Sequence, residues 1–123
     1  MTLYAAMLYY PADRYWTEEV AQWSPGYAAF FAAAGAAGVV RGGEALHPPG
    51  LATTITFADG QDSDLVITDG PYAEAKEVLG GFCLIEAADL DEAIKWTAQI
   101  PAAWRGKVEL RPVFPMNGPD AGQ

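Results

Sequence analysis

The sequence predicts a single α+β domain in which two helices lie on one face of an antiparallel sheet and leave the other face bare. Three observations carry this. Leu3 to Tyr10 is apolar on both alternating faces, two helical segments stand among several short strands, and the last strand, Lys107 to Phe114, has two faces of different chemistry.

The first strand sets Leu3, Ala5, Met7 and Tyr9 on one side and Tyr4, Ala6, Leu8 and Tyr10 on the other, the pattern of a strand buried twice, and Pro11-Ala12-Asp13 ends it. Thr17-Glu18-Glu19 offers a capping hydroxyl and carboxylates at the positive end of a helix dipole. Ser24-Pro25 offers a second helix start, after which Tyr27, Phe30, Phe31 and Ala34 recur at helical spacing until Gly35 and Gly38. Strands are predicted at Val39 to Leu46, Ala52 to Ala58 and Asp64 to Thr68, separated by Pro48-Pro49-Gly50 and Asp59-Gly60, and the middle one reads as a hairpin arm. Phe82 to Ala87 follows as a strand. Asp89 and Glu92 then approximate a capping box for a helix on which Leu90, Ala93, Ile94 and Thr97 share one face and which stops at Pro101. In the last strand Val108, Leu110, Pro112 and Phe114 oppose Lys107, Glu109, Arg111 and Val113. The expected domain runs over residues 1–115. The tail, Met116 to Gln123, has no apolar periodicity and is expected to be flexible.

Strand, helix, several strands, helix, strand is the order of a ferredoxin-like sandwich. An apolar sheet back is an exposed patch in a monomer, so the pattern predicts a homodimer.

Composition narrows the function classes. Hydrophobic residues make up 51% of the 123 and charged residues 19%, enough apolar material for a folded globule of one domain. A formal net charge of −9 with only seven Lys and Arg argues against a nucleic-acid surface and against anionic membranes. One cysteine, Cys83, forms no intrachain disulfide, and no Cys/His cluster points to a metal. The first positive charge is Arg14, so no secretory signal is expected, and the Ala/Gly-rich stretch from Gly26 to Val40 is too short to span a membrane. The expected location is cytoplasmic, with no cofactor.

The densest chemistry lies in Asp69-Gly70-Pro71-Tyr72-Ala73-Glu74-Ala75-Lys76-Glu77-Val78-Leu79-Gly80-Gly81-Phe82. This block closely resembles the Asp-Gly-Pro-Phe signature of the DGPF branch of the YCII-related family, with Tyr72 in place of the usual Phe. The resemblance extends upstream to Gly42-Gly43-Glu44-Ala45-Leu46 and downstream to Leu84-Ile85-Glu86, Asp89-Leu90-Asp91-Glu92-Ala93 and Val108-Glu109-Leu110-Arg111-Pro112. It implies a dimeric α+β barrel in which two ferredoxin-like sheets face each other. It further implies one of two roles. The first is a lyase-type or degenerate enzyme acting on a small aromatic or anionic molecule in the dimer cavity. The second is a non-catalytic ligand-binding or regulatory accessory module working beside an extracytoplasmic-function sigma factor. The superfamily's His-Asp pair is not matched in the first helix, where Trp23-Ser24-Pro25-Gly26-Tyr27-Ala28 holds no histidine.

The residues themselves allow two readings each. Asp69 either belongs to turn architecture with Gly70 and Pro71 or is a catalytic base at a strand end. His47, before Pro48-Pro49, is either an ordinary surface histidine or a second catalytic group titrating near neutrality. Tyr72, Glu74 and Lys76 are either a solvated loop or ligand contacts, with Lys76 able to bind an anion or pair with Asp69. Arg111 is expected on the bare sheet face, where it either clamps a carboxylate or phenolate or pairs with Glu86 or Glu109. Cys83 reads as a buried small hydrophobe, and the four tryptophans as packing groups.

Overall fold

A computed structural model describes residues 1–14, 19–71 and 75–116, without the side chains of residues 14 and 19–24. The elements are β1 (Thr2–Pro11), α1 (Glu19–Ala37), β2 (Val40–Ala45), β3 (Thr53–Phe57), β4 (Leu65–Asp69), β5 (Glu77–Ala87), α2 (Leu90–Thr97), α3 (Ala102–Arg105) and β6 (Lys107–Pro112). Four strands form one antiparallel sheet in the order β2-β5-β1-β6, while β3 and β4 form a separate two-stranded hairpin. Leaving out that hairpin, the chain runs strand, helix, strand, strand, helices, strand with the first strand inside the sheet. This is the ferredoxin-like α+β arrangement, and the hairpin is an insertion between its second and third strands.

Period-two alternation decides which side chains meet the helices. Ala6, Leu8 and Tyr10 of β1 are buried with Cys83 and Ile85 of β5, against Phe30 and Ala34 of α1, Ile100 and Ala102 of α3. Tyr4 joins Ala87 and Ala93 in a second cluster. The other side of β1, with Leu3, Ala5, Met7 and Tyr9, is only half-buried. One face of the predicted doubly buried strand is therefore covered within the chain, and the other is not.

Several boundaries differ from the sequence reading. Pro25 does not start a helix but lies inside α1, which runs from Glu19 to Ala37 without a break. The helix forgoes the amide donor of Pro25 while the apolar row of Phe30 and Ala34 still docks on the sheet. The strand expected from Phe82 begins at Glu77, so Gly80 and Gly81 lie within β5 rather than ahead of it. A Cβ on Gly81 would stand 2.7 Å from the Glu44 carbonyl oxygen, so the neighbouring backbone of β2 leaves no room for a side chain there. The helix expected to reach Pro101 ends at Thr97, and Pro101 is the N-cap of α3. Asp89 does cap α2: its Oδ1 accepts from the Glu92 amide at 2.9 Å while Glu92 Oε2 accepts from the Ala88 amide at 3.0 Å. The last strand stops at Pro112, although the Val113 amide still donates to the Leu3 carbonyl at 2.9 Å. The helix start at Thr17-Glu18 and the tail beyond Met116 lie outside the described residues.

Candidate functional site

Directly paired residues in an antiparallel ladder project to the same face, so the register identifies everything on the helix-free side. Ala5 pairs with Arg111 on one flank and Leu84 on the other; Met7 pairs with Glu109 and Phe82; Leu3 pairs with Glu86. The face has a half-buried apolar centre of Leu3, Ala5, Met7, Phe82 and Leu84. Charged groups border it.

Two ion pairs stand at opposite ends. Arg41 Nε donates to Glu86 Oε2 at 3.2 Å, and Lys107 Nζ to Glu77 Oε1 at 2.6 Å. The second oxygen of Glu77 is buried without a hydrogen-bond partner among the described residues. Arg111 is exposed, and no carboxylate pairs with it among the described residues. Glu86 stands on β5 and Arg111 on β6, on opposite flanks of β1, and Glu86 pairs with Arg41 of the neighbouring β2 instead. Of the two carboxylates weighed as partners for Arg111, Glu86 pairs with Arg41, which sequence alternation alone does not single out, and Glu109 forms no ion pair with Arg111 among the described residues.

Asp69 lies elsewhere, at the last position of β4, opposite Thr53. Gly70 follows with φ +97°, a conformation that L side chains rarely adopt. Its amide donates to the Ala52 carbonyl at 2.6 Å, and its carbonyl accepts from Thr54 Oγ1 at 2.8 Å. The turn is therefore held by the backbone of Gly70 and by Thr54. The exposed Asp69 carboxylate accepts no hydrogen bond among the described residues.

Lys76 is exposed at the bend before β5, where its carbonyl accepts from the Ala12 amide at 2.7 Å, and it forms no ion pair with Asp69. His47 is exposed just after β2. The candidates are thus distributed over the sheet face (Arg111), the hairpin (Asp69), a bend (Lys76) and a connection (His47). Tyr72 and Glu74 lie outside the described residues.

Burial perturbs two groups. Tyr27 on α1 is pushed up to about 12 by burial, against a smaller opposing effect of the Ala102 backbone, and its hydroxyl lacks a hydrogen bond of normal geometry. Burial also pushes the Cys83 thiol up, as fits a packing group rather than a nucleophile. On the helix side an open groove of about 570 Å³ is lined by Leu90, Ile94, Val108 and Leu110, with Lys107 at its edge, and brings no acid-base pair together. Among the described residues no cluster of three or more His, Cys, Asp or Glu could hold a metal ion, and no helix is long and apolar enough to cross a membrane.

The family described as the YCII-related domain matches residues 2–117, nearly the whole chain. Over 70 residues the chain is 39% identical to an uncharacterised protein of Rhizobium meliloti (strain 1021), a match covering 55% of this chain and 54% of the relative. The chain thus spans about half the length of the curated relative it matches.

Proposed function

The chain belongs to the YCII-related domain family, and from that premise we propose that it is a homodimeric protein binding a small anionic or aromatic molecule between two facing sheets. One observation carries this reading: the helix-free face joins an apolar centre to an arginine, Arg111, that no carboxylate neutralises among the described residues. A second sheet laid over that centre removes water from it, which strengthens any charge-assisted bond to Arg111. A carboxylate or phenolate attached to an aromatic ring matches both parts of the face. Lys76 is a second electrostatic anchor. If the protein turns its ligand over, Asp69 is the base, since its carboxylate is unencumbered by turn hydrogen bonds. Lyase-type chemistry is the reaction class that the family resemblance favours.

The test is calorimetric titration of the wild type and of Arg111→Ala with small aromatic carboxylates and phenolates. Binding that falls at least tenfold in the variant supports the reading, and equal binding by both proteins contradicts it. Asp69→Asn should abolish turnover without weakening affinity; unchanged turnover removes Asp69 from the chemistry.

A second reading is a DGPF-type accessory module acting beside a sigma factor in the cytoplasm. The observation favouring it is that α1 carries no histidine and that His47 lies in the connection after β2 whereas Asp69 ends β4. Co-purification with a neighbouring sigma factor, together with no turnover in a broad screen, would select it.

A further inference from the structure

The hairpin is the least explained part of the molecule. Its register pairs Ile55 with Ile67 and Phe57 with Leu65, so all four side chains project from one face, and Thr53 with Asp69 completes the row. The opposite face carries Thr54, Thr56, Thr68 and Val66. The four apolar residues are 64%, 61%, 46% and 52% exposed for Ile55, Ile67, Phe57 and Leu65, which amounts to roughly 400 Å² of contiguous apolar surface. A hairpin of two short strands with one greasy face is marginal in water unless something covers it.

We propose that this row is an arm that packs against the helix-free sheet of a second copy of the same chain and carries Asp69 to the Arg111 end of that copy's face, where the two pair in the empty dimer until an anionic ligand takes the place of the Asp69 carboxylate on Arg111. The inference rests on the dimer reading above and adds that each chamber is built from both chains. Two arguments select a second copy over another partner. The first is complementarity: the arm is an uncharged strip that ends in a free carboxylate, and the sheet face is an apolar strip bordered by a free guanidinium, both on this chain. The second is area. By two-fold symmetry each copy gives one arm and receives one, so two arms and the surfaces they cover total about 1,600 Å², the size of a standard stable interface.

The test uses full-length protein and sedimentation velocity. The double substitution Ile55→Lys and Ile67→Lys should weaken dimerisation at least a hundredfold with an unchanged circular dichroism spectrum, because both side chains are exposed and no core contact is lost. Thr56→Lys, on the opposite face of the hairpin, should leave the dimer intact. If the double variant dimerises like the wild type while Phe82→Glu on the sheet face does not, the sheet still mediates the dimer and the arm is overturned. If the wild type itself sediments as a monomer, both ideas fail. A charge exchange reports on the Asp69–Arg111 approach. Asp69→Arg and Arg111→Asp should each dimerise at least tenfold more weakly alone, and mixing them should restore dimers, since both cross-chain contacts then pair opposite charges. Failure of the mixture to recover places the two residues apart.

Discussion

Arg41 holds Glu86 through a 3.2 Å hydrogen bond between Nε and Oε2, and in doing so takes up the carboxylate that the residue pattern offers to Arg111. The same guanidinium donates through Nη1 to the carbonyls of Gly38, just past the end of α1, and of Val40, the latter at 3.3 Å. Arg41 therefore ties the helix end, the edge strand β2 and the central strand β5 together, while Arg111 has no such tie among the described residues.

Arg41→Ala should accordingly cost more than an ordinary surface pair, about 1 kcal/mol in urea unfolding, because charge-assisted bonds to main-chain carbonyls are lost along with an exposed ion pair. Arg41→Lys should recover little of it, since a single ammonium nitrogen cannot occupy the positions of both Nε, which meets Glu86, and Nη1, which meets the two carbonyls. A variant as stable as the wild type would show that these bonds contribute nothing.

Gly81→Ala tests why the motif block ends in paired glycines. The new methyl would meet the Glu44 carbonyl at 2.7 Å, and since that atom is backbone, β2 must shift away from β5. A loss of about 2 kcal/mol in stability is expected, of the size seen on overpacking a filled site. Gly50→Ala, with nothing within 4 Å of the added carbon, should be close to neutral in the same urea titration.

Tyr27 makes stability fall at alkaline pH. Its hydroxyl is pushed from 10.0 up to about 12 by burial, so the folded state favours the protonated phenol. That stabilisation is complete below pH 10 and is lost as pH rises through about 12. Because the group is partly exposed, solvent screening limits the effect to under about 2 kcal/mol. Tyr27→Phe, which also removes a buried hydroxyl with no normal hydrogen bond, should be as stable as or more stable than the wild type at neutral pH. Its melting temperature should also decline less between pH 10 and 12; an identical decline would assign the alkaline loss to other groups.

Cys83 offers a chemical probe of the same core. It is buried in β5 and its thiol is pushed up by desolvation, so a disulfide reagent at mildly alkaline pH should modify the native protein at least ~100-fold more slowly than the denatured chain. Rapid native labelling would mean that β5 opens readily or that Cys83 is accessible.

The alternation of β1 shows two apolar faces but not which of them meets the helices, whereas the Asp89–Glu92 cap of α2 is legible in local spacing because it depends on neighbours in sequence. What pairs with what across the sheet is not. The order β2-β5-β1-β6 places Glu86 two strands from Arg111 and beside Arg41, and no periodicity encodes that order. Alternation in Thr53–Phe57 and Leu65–Asp69 likewise looks the same whether the strands join the main sheet or stand apart, as they do. The glycines of the motif block read locally as the start of a strand, whereas Gly81 answers to the approach of β2 from far away in sequence.

Sedimentation equilibrium of the unmodified protein at low micromolar concentration addresses the central claim most directly, namely that a second chain covers the helix-free face. A single species of twice the 13.1 kDa chain mass, dissociated by Leu84→Asp at the centre of that face, is the predicted result. A folded wild-type chain that remains at 13.1 kDa up to high micromolar concentration would contradict it.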